Sequence, residues 1–221
     1  MPPAARPLNV VGIDGCRGGW VAAVVTARGR GRTSVHVAPS LVGVLEAAGP
    51  AEVVGIDMLL WLPESGTRAC DDEARRRLGP KRSSIFPAPL ACTVGAATHA
   101  DAVVAARSAG GPAPSIQAFN LVPKIVEAMA AVAAGRVLHE VSPELSFATM
   151  AGAPLASRKR TAEGAAERAR LLVRSFPTIV QATRGAARDD VLDAYAVAWT
   201  ARRIAAGTAE RLGEGLDSIR V

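Results

Sequence analysis

The sequence predicts an α/β domain built on a mixed sheet, an antiparallel three-strand meander continued by parallel strands, with helices on its faces and a helical insertion. Three observations predict it. Short β-branched runs divided by Gly-rich turns open the chain. A capped helix then leads into a buried-type strand, the order that gives a parallel crossover. Long stretches of helical period fill much of the remainder.

Asn9 to Ile13 is the first run and Trp20 to Thr26 the second. Between them Gly15-Cys16-Arg17-Gly18-Gly19 is turn chemistry, which makes an antiparallel hairpin. Gly29-Arg30-Gly31 turns the chain again into a third strand, Thr33 to Ala38. Ser40 can cap a helix that runs to Ala48 and stops at Gly49-Pro50. Val53 to Ile56 is the fourth strand, ending at Asp57. Pro63 to Leu90 reads as irregular and basic, and residues 63–134 as a basic loop and helical insertion within a single domain spanning 1–221. Its helices are Thr93 to Arg107 and Ile116 to Ala134, separated by Gly110-Gly111-Pro112. Arg136 to Val141 reads as the last core strand, Thr161 to Arg174 as a capped helix, and Asp189 to Ala206 as the final helix.

Composition narrows the class. A chain of 221 residues, 49% hydrophobic but only 4% aromatic, has a core of Val, Leu, Ile and Ala. The net charge of +6 favours anionic partners, nucleic acid or a nucleotide, and equally fits a solvated basic surface. Cys16, Cys70 and Cys92 form no CxxC pair, which excludes a zinc ribbon and a disulfide framework and fits a reducing cytoplasm. Met1 to Asn9 has no apolar leader, and Val10 to Val25 is interrupted by Asp14 and Arg17, so neither a signal peptide nor a membrane span is expected there. No GxxxxGK[ST] or GxGxxG loop occurs. A homodimer is expected only because dimers are common.

Four acidic places stand out. Asp14 ends the first strand and Asp57 the fourth, so a parallel crossover puts both at one carboxyl edge of the sheet, where open α/β sheets bind ligands. Glu144 follows the last core strand, which itself contains Glu140. Asp189, Asp190 and Asp193 open the final helix, and residues three or four apart share a face. Each acid alone has a structural reading: a turn, a cap, or a favourable charge at a helix N-terminus. Asp193 is the informative one, because it lies between Leu192 and Ala194 in an apolar helix and asks for a cation partner. Gathered carboxylates repel one another unless a cation lies between them, and hard oxygen donors favour Mg²⁺ or Mn²⁺. Two such ions about 3.5–4 Å apart hydrolyse phosphodiesters without a histidine. That suits a chain whose His36, His99 and His139 sit in no motif.

Phosphate contacts are expected from Lys81, Arg82, Ser83 and Ser84, which combine cations with hydroxyls, and from Arg17, Arg68, Lys124 and Lys159. Arg75-Arg76-Arg77 reads as a solvated face. Cys16 beside Arg17 is either a reactive thiol or a packed turn residue.

Several stretches resemble one family. Gly12-Ile13-Asp14-Gly15-Cys16-Arg17-Gly18-Gly19-Trp20 is similar to the opening motif of a family of unknown function, DUF429, described as predicted nucleases with a ribonuclease H-like fold. Arg68-Ala69-Cys70-Asp71, Arg82 to Pro89, Gln117-Ala118-Phe119 with Pro123-Lys124-Ile125, Pro143 to Phe147, Lys159 with Thr161 to Gly164, and Asp189 to Ala194 extend the likeness over nearly the whole chain. The resemblance implies that Asp14, Asp57 and Asp193 are core metal ligands, with Glu144 and Asp190 beside them. The chain departs from the pattern twice. Ile56-Asp57-Met58-Leu59-Leu60-Trp61-Leu62 keeps the acid but not the family's Ile-Asp-Ile-Pro turn, and Ser142 stands where the family has His before Pro-Glu.

The expected function is therefore a metal-dependent nuclease or phosphodiesterase. Asp14 would bridge two ions, Asp57 and Glu144 would each hold one, and Asp190 and Asp193 would complete the site. The alternatives are a binding protein of the same fold without turnover, which Ser142 favours, and an actin- or sugar-kinase-like phosphotransferase, which the missing nucleotide loop disfavours.

Overall fold

The computed structural model describes residues 8–221; the segment 1–7, read above as lacking an apolar leader, lies outside the described residues. Strands β1 (Asn9–Cys16) and β2 (Gly19–Thr26) form an antiparallel hairpin turned by Arg17 and Gly18. Strand β3 (Ser34–Ala38) pairs antiparallel with β2. Helix α1 (Leu41–Ala48) starts where the Ser40 side chain accepts from the Gly43 N–H, and ends at Gly49, whose φ of 74° only glycine adopts freely. It returns the chain to β4 (Val53–Ile56), parallel to β1 with Gly12 opposite Gly55 and Ile13 opposite Ile56. Strand β5 (His139–Glu140) extends the parallel half, giving the order β3-β2-β1-β4-β5. That mixed sheet, flanked by helices, is the ribonuclease H-like arrangement.

Period-two alternation sorts the side chains to two faces. Val11, Ile13, Trp20, Ala22, Val24 and Ile56 pack with α1 and with α4 (Ile116–Ala133). Val10, Val21, Ala23, Val25 and Val53 pack with α5 (Pro143–Ala151), α6 (Ala162–Leu172) and α7 (Arg188–Ala205). Helix α7 lies directly on the sheet, and every residue from Val191 to Ala198 is buried. Gly12 makes this possible: a Cβ there would stand 2.1 Å from the Ala198 nitrogen and 2.2 Å from the Ala194 oxygen.

Helix α4 is long and apolar enough to cross a membrane by length and composition. In the fold its Ala118, Val122, Ile125, Ala128 and Ala131 are buried, and its Glu127 accepts from the Trp20 Nε1 and the Leu41 N–H, closing the start of α1.

Three sequence expectations are corrected and one pair of strands is added. The basic stretch after Pro63 holds helix α2 (Ala69–Leu78), whose narrow apolar stripe is Cys70, Ala74 and Leu78. The helix expected from Thr93 is α3 (His99–Ser108); Gly95 at φ 88° breaks any earlier start and Thr98 supplies the cap. Strand β5 is two residues rather than Arg136 to Val141: it pairs with β4 only at Gly55 and Ile56, residues 136–138 lie outside the sheet, and Pro143 begins α5 soon after. Helix α7 is the final helix, and the hairpin that follows it has no counterpart in the sequence reading: β6 (Arg211–Glu214) and β7 (Asp217–Arg220) carry Leu212 and Ile219, which with Val221 join Cys70, Leu78 and Leu145 in a separate apolar cluster.

Candidate functional site

The alternation that puts Gly12 under α7 puts Asp14 on the same face, two residues further along β1. The parallel register makes Asp57 the continuation of β4 beside it, and the Asp57 N–H bonds the Ile13 oxygen. Asp193 faces the same edge one residue before Ala194, where α7 meets Gly12, so the end of β1, the residue just after β4 and the start of α7 bring the three carboxylates together. Asp14 and Asp193 are buried, and Asp57 is half-buried.

The charges interact strongly. Burial, then the charges of Asp57 and Asp193, hold the Asp14 carboxyl well above the usual carboxylate range. Burial and then Asp193 push Asp57 up to about 8. Burial lifts Asp193 to about 6 against the opposing pull of Lys159. Lys159, in the segment between α5 and α6, donates to Asp193 Oδ2 at 2.9 Å. Burial works against its charge, but Asp193, Asp14 and Asp57 more than offset that and raise it. Asp193 Oδ1 is buried with no hydrogen-bond partner among the described residues. One ammonium therefore stands among three carboxylates, and one oxygen is left without a donor.

The neighbouring acids are otherwise engaged. Glu144 accepts from Arg168 Nη2 through both oxygens, at 2.8 and 3.1 Å. Arg168 is 2% exposed on the apolar face of α6 and lies over the Phe147 ring. Asp190 accepts from the Ala187 N–H at 3.0 Å, stabilising the start of α7, while burial raises its pKa. Asp189 lies 3.7 Å from the exposed Arg160. Among the described residues, no three carboxylate, histidine or cysteine side chains stand at spacing that holds an ion in this arrangement.

The expected phosphate contacts divide. Arg17 is exposed on the β1–β2 turn. Lys124 donates to the Gly19 oxygen and lies 4.5 Å from the Trp20 ring centroid, beside Gly15. Lys81 donates to the Ala156 oxygen at 2.8 Å, tying the 3₁₀ turn 79–84 to the segment that carries Lys159; Arg82, Ser83 and Ser84 are exposed on that turn. Arg68 is not a surface contact: it is fully buried, donates to Glu140 Oε1 at 2.6 Å, and lies near Asp71 and Asp217. Asp217 also accepts from the Ala69 and Cys70 N–H groups, capping α2 from a distant part of the chain. Cys16 is buried at the end of β1, and burial raises its thiol pKa, which makes it the packed residue rather than a nucleophile.

Sequence reasoning missed Arg168 and the role of Arg68. Arg168 was findable: like Asp193, it is a charge on an apolar helical face, here shared with Ala165, Ala169 and Leu172.

These shifts set the pH dependence of stability. Carboxylates of ordinary pKa near 4 lose their protons early in the unfolded chain, whereas the folded protein keeps them until about 6 at Asp193 and about 8 at Asp57. The folded state thus binds more protons between these limits, so this contribution is complete below about pH 4 and is lost as pH rises. Thermal melts should show Tm falling from about pH 4 to about 8, and Asp57→Asn should flatten the slope. A Tm that rises over this range would contradict the geometry.

No curated protein and no solved structure matches the chain. The family model described as a protein of unknown function (DUF429) matches residues 12–217, a span that includes the motifs from Gly12 to Ala194. The chain belongs to that family.

Proposed function

We propose that the protein is a divalent-metal-dependent phosphodiesterase acting on nucleic acid, with its site at Asp14, Asp57 and Asp193. The observation that carries this reading is the convergence of three carboxylates, two of them buried, around a single ammonium, Lys159, with Asp193 Oδ1 unpartnered among the described residues. The donor set fits Mg²⁺ or Mn²⁺, since all donors are hard oxygens. Asp14, Asp57 and Asp193 would hold the ion, with Glu144 and Asp190 at the flanks. A bound ion would supply Lewis-acid stabilisation of the phosphoryl group. Lys159 would hold Asp193 in place and lower the net charge that a polyanion meets. Arg17 and the Lys81–Ser84 turn would position phosphates.

A second reading has its own observation. The Lys159 ammonium already pairs with Asp193, and among the described residues no three acidic groups stand at ion-holding spacing. This favours a nucleic-acid- or nucleotide-binding protein in which the ammonium is the standing cation and no turnover occurs. The test is a panel of DNA, RNA and branched junctions in Mg²⁺ or Mn²⁺, comparing the protein with Asp14→Asn. Metal-dependent cleavage lost in the variant supports the first reading. Binding without cleavage by either protein supports the second.

A further inference from the structure

The far end of α7 carries the opposite charge. Arg202 and Arg203 follow Asp193 along the same helix, roughly 14 Å further down its axis at about 1.5 Å per residue. They border an open groove of about 600 Å³, completed by Arg28 and Arg30 from the β2–β3 turn, Arg174 after α6, and Trp199. Among the described residues no Asp or Glu lines it. Burial lowers the Arg202 pKa, with no carboxylate opposing it.

Two of the guanidinium groups are set in place by the backbone. Arg202 donates to the Ser175 oxygen at 3.3 Å and the Gly29 oxygen at 3.0 Å, and lies over Phe176. Arg203 donates to the Thr208 oxygen at 2.9 Å and lies 4.9 Å from the Trp199 ring centroid; its Nε is buried without a partner among the described residues. Arg30 donates to the Arg174 oxygen at 3.5 Å. Among the described residues none of the five arginines has an ion pair, and Glu210, whose carboxylate feels Arg203, is held by both Nη atoms of Arg77. Like charges gathered without counter-charge are costly unless an anion joins them. The cations come from three separate segments around an open trough, which suits a linear polyanion better than one small anion. Arginine and an aromatic ring are also the side chains that contact phosphate and base together.

We propose that this groove binds the phosphate backbone of nucleic acid, as a site separate from the acidic cluster. The choice of nucleic acid among polyanions rests on the phosphodiesterase reading; the binding itself does not require cleavage.

The experiment is fluorescence anisotropy of a labelled single strand of about 20 nucleotides and its duplex, with the full chain in EDTA, over a range of salt. EDTA removes any metal-dependent cleavage, so loss of the nuclease reading and loss of the groove give different results. Arg28→Glu/Arg30→Glu/Arg174→Glu leaves the backbone-anchored Arg202 and Arg203 in place, and thermal melts check its folding. The expected result is at least about tenfold weaker binding, with a salt slope shallower by about 2, because each phosphate no longer neutralised removes roughly 0.7–0.9 from the slope. Arg107→Glu/Arg136→Glu, on other surfaces, should keep most of the affinity. Three results would overturn the proposal: no binding by the unaltered chain at low salt, equal binding by the groove variant, or an equal loss per reversed charge in the control. Pyrophosphate displacing the oligonucleotide mole for mole would assign the groove to small phosphates and overturn it too.

Discussion

Gly12→Ala should destabilise the fold severely. The added methyl group would stand 2.1 Å from the Ala198 nitrogen, 2.2 Å from the Ala194 oxygen and 2.7 Å from the Ala198 Cα. All three are backbone atoms of a helix buried against β1, β2 and β4, so no rotamer change relieves the clash. The helix must lift, and it carries Val191, Leu192, Tyr195 and Val197 out of their packed positions. Overpacking alone costs about 1–3 kcal/mol; adding the apolar surface re-exposed to water, we expect about 4 kcal/mol or more, a large share of the roughly 5–15 kcal/mol that holds a domain together. Urea denaturation would measure it. Gly15→Ala is the control, since its methyl group would meet only the flexible Lys124 stem, at 3.1 Å and 3.3 Å. If Gly12→Ala melts with the unaltered protein, the close approach of α7 to β1 is wrong.

Asp14→Asn should lower activity and raise stability at once. The Asn Oδ1 can keep the Gly15 N–H bond that Asp14 Oδ1 accepts at 2.7 Å, so the turn survives. What disappears is a carboxyl whose ionised form is disfavoured by burial first and then by repulsion from Asp57 and Asp193. Relief of that repulsion should raise Tm by about 2–4 °C for each kcal/mol gained in a chain of this size. Metal-dependent cleavage should fall at least about a hundredfold, since even groups that only support a ligand change activity by about 10–100-fold. The opposed signs identify an acid kept for chemistry at the expense of stability. A lower Tm with unchanged cleavage would make Asp14 a turn residue and nothing more.

Much of the frame is legible in the sequence because its signals are local. Turn glycines bound the β-branched runs, Ser40 caps α1, and the crossover makes β4 parallel to β1, which is enough to place Asp14 beside Asp57. The missed elements depend on distant partners. Helix α2 has a three-residue apolar stripe under three consecutive arginines, and the carboxylate that caps it, Asp217, comes from the C-terminal hairpin. That hairpin reads as exposed and polar apart from Leu212, Ile219 and the turn residue Leu216, and the first two find their cover mainly against α2 and α5. In the site, the apolar surroundings of Asp193 announce a cation, but nothing local says that it is Lys159. The pairing of Arg168 with Glu144 is likewise set by how α5 and α6 meet. Arg68 reads as a surface cation because no sequence pattern shows Glu140 arriving from β5.

The burial of α7 also divides the acidic site by mobility. Asp193 belongs to the stretch 191–198, buried throughout, whose amides can exchange with solvent only when most of the domain opens. Lys159 lies in the segment 152–161, outside any helix or strand, with its side chain 41% exposed. Hydrogen exchange should show the first stretch among the slowest amides and the second among the fast ones. The Asp193 carboxylate is then held by the most rigid part of the fold and the ammonium that pairs with it by one of the least, so the ion pair can open by movement of the lysine alone.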